Sequence, residues 1–335
     1  MIDDMNDYSP IDDTSAINET NTQIRKRGGG FLTTHTGCRI SKWLYSQESG
    51  TQPLFKECKA EPPNRQLRLA MQLQENDTLF VPFTAMQQFV DEVLDEISCN
   101  IFILSGQTHI VPKIADETLH KLLNHTHVTH WFAHNLPVYG GTNPYHPKIS
   151  PFPYGLKETE GNGKLIFESY KRVFFRSILN KTATDKTTFI YAGPLGKTQP
   201  GRRKIKQSST DLPPEEYFMN MAKSHYILSP NGDRPDCHRH YEAIGLGTIP
   251  ITELDPVLFR HLADGPAVYN IKDWKLSSLG MKLDPKPTVN RNLVREDYWM
   301  DWADKEAGVK LNWRLFEKAT GKDEWEQSLM AMIDI

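Results

Sequence analysis

From residue 78 to residue 252 the chain alternates two kinds of segment, short β-rich apolar runs and longer stretches with apolar residues at helical spacing. That alternation constrains the fold more than any other feature. Strands joined through covering helices run parallel in one sheet, because a crossover helix returns the chain to the edge where it began. The first series has strands at 78–83 (TLFVPF), 100–106 (NIFILSG) and 128–134 (VTHWFAH). Between the first two, residues 84–97 place Phe89, Val90, Val93, Leu94 and Ile97 on one helical face. Residues 137–163 are dense in Pro and Gly, where a helix cannot continue, so a domain junction belongs near their end. A second series follows: helix 164–179, strand 188–193, helix 213–224, a strand ending at 229, a helix, and strands 248–252 and 267–271.

Two successive βα series predict an α/β protein of two Rossmann-like domains facing a central cleft. The expected division is a disordered tail at 1–30, an N-terminal domain at 31–160, a second domain at 161–300 and C-terminal helices at 301–335. Packing of those helices back on the first domain is one option. The tail is rich in Asp, Asn, Ser and Thr and ends in RKRGGG at 25–30.

Composition excludes several function classes. Lys plus Arg (39) nearly balance Asp plus Glu (42), for a net charge of -3, so no general affinity for nucleic acid is expected and any basic site must be local. Cys38, Cys58, Cys99 and Cys237 form no CxxC pair, which argues against a zinc ribbon or a disulfide-dense scaffold; reduced, buried thiols are expected. No run approaches 18 apolar residues and no apolar leader stands at the start. A soluble chain with no transmembrane segment, located in the cytoplasm, is the expectation. Four glycosylation tripeptides, at Asn18, Asn76, Asn124 and Asn180, point instead to a luminal location.

The chemistry concentrates in HYILSPNGDRPDCHRHYEAIGLGTIPIT, residues 225–252. A buried strand ends in Pro230-Asn231-Gly232, followed by Asp233, at the carboxyl end of a parallel sheet, where open α/β sheets bind ligands. Asp236 is the expected N-cap of the next helix, whose unpaired N–H groups suit a phosphate. Arg239 and Glu242, three apart, share a face: a guanidinium for phosphate oxygens and a carboxylate for the paired hydroxyls of a ribose. An ordinary βαβ unit with an intrahelical Arg–Glu pair is the alternative. A second cationic loop, PLGKTQPGRRKIK at 194–206, follows Gly193 at another strand end and brings Arg202 and Arg203 toward the same anion. A merely solvated basic loop is the competing explanation there.

The stretch from Ser224 to residue 252 resembles the C-terminal signature of exostosin-like glycosyltransferases, glycosyltransferase family 47 and its relatives. The matching residues are Ser224, Tyr226, Leu228, Pro230, Gly232, Asp233, Arg239, Tyr241, Glu242, Ala243, Gly247, Ile249 and Pro250. Weaker echoes are HPKISPFPYGLK at 146–157, GPAVYNIKDW at 265–274 and REDYW at 295–299. Asp236 and Cys237 depart from the Ser or Thr common there, and His238 stands where a second Arg is common. The resemblance implies a GT-B fold and inverting transfer of a sugar from a UDP-sugar donor to a hydroxyl of a glycan acceptor, with xylose slightly favoured. It also implies that Arg239 with Arg202 or Arg203 binds the diphosphate and Glu242 the ribose. The chain has no Asp-x-Asp pair, so arginines are expected to stabilise the leaving diphosphate without a metal or other cofactor.

A base must take the acceptor proton. His109, after the strand at 100–106, is the first candidate and His134 the second, each with a structural loop histidine as its alternative. Two other functions compete. One is nucleotide-sugar binding without catalysis. The other is a metal-dependent hydrolase built on His125, His127, His130 and His134.

Overall fold

The computed structural model describes residues 30–45, 70–106, 114–136, 146–158, 162–179, 185–196, 202, 205, 212–263, 267–269, 274, 283–285 and 287–313. Residues 1–29 of the expected tail, His109, Arg203 and residues 314–335 lie outside them. Among them the chain is α/β, with two all-parallel sheets. The first sheet belongs to a unit formed by the described residues of Thr33–Tyr154 and Trp299–Leu315, the second to one formed by those of Met1–Leu32 and Gly155–Tyr298.

In the first unit, helix α1 (Thr36–Ile40) leads to β1 (Trp43–Leu44), followed by β2 (Asp77–Phe80), α2 (Met86–Glu92), β3 (Ile101–Ser105), α3 (Asp116–Asn124), β4 (Val128–Ala133) and β5 (Ile149–Pro151). The strands lie side by side in chain order, β1-β2-β3-β4-β5. Every residue of β2 and β3 is buried, as expected of central parallel strands covered on both faces. The single helix expected over 84–97 is instead a 3₁₀ turn at Phe83–Ala85, α2, and a second 3₁₀ turn at Leu94–Glu96. Val93 leaves helical angles (φ -124°), and the tighter turn beyond it still buries Leu94 and carries the chain to a buried Ile97. Asp77 ties this end of the sheet together. Its carboxylate accepts from Lys42 Nζ (2.7 Å), Trp43 Nε1 (2.6 Å), Gln74 N (3.1 Å) and Asn312 Nδ2 (2.9 Å).

In the second unit, α4 (Asn162–Leu179) precedes β6 (Thr188–Tyr191), α5 (Pro214–Ala222), β7 (Ser224–Leu228), α6 (His238–Gly245), β8 (Ile249–Thr252), α7 (Arg260–Ala263) and β9 (Val268–Tyr269). The sheet order is β6-β7-β8-β9. Helix α4 turns Phe167, Tyr170 and Phe174 inward at helical spacing, and the Phe31 ring meets all three edge-on at 5.1–6.0 Å. Beneath the sheet's carboxyl end, Leu195, Ile205, Tyr226, Leu228, Ile249 and Ile251 pack into one cluster. Lys186 Nζ closes the end of α5, donating to the carbonyls of Ala222 and Ser224 (both 2.8 Å) and to Thr248 Oγ1 (3.1 Å). Lys186 has only neutral acceptors there, and burial, with the nearby Arg291 charge, lowers its pKa to about 7. The helix α8 (Glu296–Ala307) completes the described elements, and its Trp302 ring lies 6.1 Å from Phe132 and 5.4 Å from Trp299.

Cys38 is disulfide-bonded, whereas Cys99 and Cys237 are free, so the expectation of reduced thiols throughout is wrong for Cys38. Spacing alone does not reveal such a pairing.

Candidate functional site

The carboxyl ends of β6 and β7 carry the sequence-predicted donor residues of the second unit. After Leu228 the chain turns through Pro230 and Asn231, and Arg202 braces that turn: Nε donates to the Asn231 carbonyl (2.8 Å) and Nη2 to that of Pro230 (3.0 Å). The Asn231 N–H donates to Glu253 Oε1 (2.8 Å) and the Gly232 N–H to the Arg234 carbonyl (3.0 Å), while Asp233 is exposed. Asn231 Oδ1 is buried with no partner among the described residues. The Nη1 group of Arg202 also makes no hydrogen bond among them. Arg202 is therefore first a brace for the turn, with one donor group left over.

Helix α6 begins at His238, one residue later than an Asp236 cap would place it. Its N-cap is Cys237, in extended backbone and without a side-chain cap bond. Asp236 is drawn elsewhere, into the core, where Tyr241 Oη donates to its Oδ2 (2.7 Å) and must then accept from His261 Nε2 (3.0 Å). The capping expectation fails because a buried hydroxyl and imidazole compete for the same carboxylate. His238 Nδ1 lies 2.9 Å from the Gly155 carbonyl, which can only accept, so the hydrogen sits on Nδ1. Burial takes the His238 pKa down to about 3, and the ring is neutral at any ordinary pH.

Arg239 and Glu242 point their chemistry to one side of α6. Arg239 spreads its guanidinium over the Tyr217 ring (5.5 Å to the centroid) and donates through Nη2 to the Pro194 carbonyl. Its Nη1 is buried and unpartnered among the described residues. Gly193 makes that placement possible. It adopts φ +61°, and a Cβ there would lie 3.3 Å from Arg239 Nη1 and 3.2 Å from the Tyr191 ring. Glu242 is largely buried, at 8% exposed, and its carboxylate lies within reach of the Arg239, Lys157 and His240 charges. Burial raises its pKa to about 7, against the opposing charges of Arg239, Lys157 and His240.

The structure thus brings Gly193, Arg202, Pro230, Asn231, Gly232 and Arg239 together at the carboxyl end of the sheet, with Glu242 one turn further along α6 and Arg203 outside the described residues. Sequence reasoning missed Lys157, Tyr191 and Tyr217. Burial raises the phenols of Tyr191 and Tyr217 against the Arg239 charge, and both stay protonated donors. Lys157 stood in a segment noted only as an echo. Tyr217 could have been found by asking which aromatic on the preceding helix supports an arginine.

No protein-family model matches the chain, and no curated protein is significantly similar to it. Its chemistry must be argued from the arrangement itself. A guanidinium with a spare buried donor and a largely buried carboxylate on the same helix face suit a ligand that carries both an anion and hydroxyl groups.

The catalytic histidine candidates belong to the first unit. His109 lies outside the described residues. His134 is buried just beyond β4, its ring stacked 5.6 Å from Phe152 and edge-on to Tyr154. A Cβ at Gly106 would come within 2.4 Å of His134 Nδ1, so glycine is required where the strands β3 and β4 end. The histidine run does not converge. His125 and His127 lie in the turn before β4 with ring centroids 5.8 Å apart, and His130 Nε2 meets Ser150 Oγ at 2.7 Å. Among the described residues no three His, Cys, Asp or Glu side chains are grouped to hold a metal ion.

Proposed function

We propose that this chain is an inverting glycosyltransferase of the GT-B type that transfers a sugar, xylose first among the options, from a UDP-sugar to a hydroxyl of a glycan acceptor. One observation carries the reading: Arg239 keeps a buried donor without a partner among the described residues, and Glu242, three residues on along α6, holds a largely buried carboxylate with a raised pKa. A carboxylate of this kind is costly to bury, and two ribose hydroxyls would satisfy it. In the same complex Arg239 Nη1 and the N-terminus of α6 would face the diphosphate, whose charge grows as the glycosidic bond breaks. Tyr191 and Tyr217 would add neutral donors and an aromatic floor. Transfer also needs a base on the acceptor side, for which His109 and then His134 are the candidates.

Arginine and the helix terminus take the charge-stabilising task in this reading, so transfer is expected to survive a chelator. The histidine spacing speaks against a hydrolase built on residues 125–134. Among the described residues no helix is long and apolar enough to cross a membrane. The Cys38 disulfide and the four glycosylation tripeptides favour the Golgi lumen over the cytoplasm, because disulfides persist in oxidising compartments. Isothermal titration with UDP and with UDP-xylose, followed by a transfer assay in the presence of chelator, tests the proposal. Binding without transfer or donor hydrolysis would favour a nucleotide-sugar-binding protein.

A further inference from the structure

Cys237 and His240 are a nucleophile and an imidazole that the proposed transfer does not use. Cys237 is a half-buried free thiol at the N-cap of α6, with Sγ 3.6 Å from His240 Nε2. The same Nε2 lies 3.2 Å from the Pro235 carbonyl, which can only accept, so Nε2 carries hydrogen. Sulfur then accepts from the same N–H that the Pro235 carbonyl shares, a contact that strengthens when the sulfur is a thiolate. On the other side of the ring, Nδ1 is 2.7 Å from Ser229 Oγ. A hydroxyl can donate to a neutral ring or accept from a charged one, so the fully buried imidazole is supported in both states.

The surroundings act in the same direction. Burial by itself raises the Cys237 thiol, but His240 and Arg202 outweigh it and hold the pKa below the ordinary thiol value, with Asp236 opposing. Reciprocally, burial lowers His240 and Cys237 outweighs it. Arg234 and Tyr217 also face this sulfur. Cys99 provides the contrast: burial and the charges of Glu75 and Asp77 raise its thiol.

We propose that Cys237, paired with His240, is a site of thiol–disulfide exchange with small-molecule disulfides. Cys237 Sγ attacks one sulfur of the disulfide, a new S–S bond forms and the old one breaks. The second sulfur leaves with the electron pair as a thiolate and takes a proton from His240 or solvent. Cys237 is oxidised and the small disulfide is reduced, so no further oxidant is needed. The adduct would stand at the start of α6 and exclude an anion from it, a consequence that rests on the nucleotide reading above.

The test uses the full chain with its disulfide intact, labelled with iodoacetamide and with an aromatic disulfide that releases a coloured thiolate. Modification of Cys237 and Cys99 is followed by peptide mass spectrometry from mildly acidic to alkaline pH. Cys237 is expected to react faster than Cys99 at mildly acidic pH, with a rate that levels off at lower pH than that of an ordinary thiol. A Cys237 rate no faster than that of Cys99, or one that climbs through the ordinary thiol range near about 8.5, overturns the proposal. His240→Gln should restore that ordinary profile; if the variant does not fold, the wild-type profile decides. Fast labelling of Cys237 that UDP fails to slow would uphold the thiol assignment and count against the nucleotide reading.

Discussion

Replacing Glu242 by Gln should stabilise the protein and weaken its ligand binding at the same time. The carboxyl is largely buried and has its pKa raised from 4.5 to about 7. Between those values the native state holds a proton that the unfolded chain has released, so stability falls as pH rises through this window. The group contributes fully below the unfolded value and costs most above the folded one. Each tenfold difference in proton affinity between the two states is worth about 1.4 kcal/mol. The ionised carboxylate therefore costs the empty protein roughly 3 kcal/mol at pH ~8 and under about 1 kcal/mol at pH ~5. Glutamine is close in size and never ionises. The stability difference between Glu242→Gln and wild type, from urea unfolding, should therefore grow by about 2 to 3 kcal/mol between pH ~5 and pH ~8 in favour of the variant. Taking the difference cancels the other titrating groups. A difference that does not change with pH would refute the argument that burial raises the Glu242 pKa. In the same variant UDP affinity should fall, since an amide is a poorer acceptor for two hydroxyls.

Other substitutions address separate parts of the account. Arg239→Ala should leave the fold intact and lower UDP affinity by about 1.5 to 3 kcal/mol in calorimetric titration, as for a charged hydrogen bond; unchanged affinity would remove Arg239 from the phosphate role. Gly193→Ala imposes a side chain at φ +61° against Arg239 and Tyr191, and should cost about 1 kcal/mol or more of stability and also weaken UDP binding. Asp77→Ala strips four donors of their shared acceptor and should destabilise the first unit by about 2 kcal/mol or more in thermal or urea unfolding, with no effect on UDP affinity. Burial acts to raise the Asp77 pKa, yet its hydrogen bonds hold it below the usual value, so the stability it contributes should be lost as pH falls through the carboxylate range.

The apolar runs at 100–106 and 128–134 were legible because four or more consecutive buried positions leave few alternatives to a central parallel strand. The flanking strands Trp43–Leu44 and Ile149–Pro151 were not, since two or three residues carry no period and Pro151 reads as a loop signal. At the candidate site, Arg239 and Glu242 could be paired from their spacing alone. The bracing role of Arg202 could not, because it depends on carbonyls 28 and 29 residues away in sequence. Asp236 misled for a related reason: local rules make it a cap, while Tyr241 and His261, brought in by packing, claim its carboxylate. The Cys237–His240 contact was within reach, three residues apart on one helix start, but a cysteine reads as inert until its neighbours are known.

The most direct test of the proposed donor site is calorimetric titration of the purified chain with UDP and a panel of UDP-sugars in the presence of chelator, wild type beside Arg239→Ala and Glu242→Gln. Saturable binding to the wild type is expected at a stoichiometry of about one, unaffected by the chelator and weakened at least about tenfold in each variant. Absence of binding to the wild type, or equal binding by all three proteins, would contradict it.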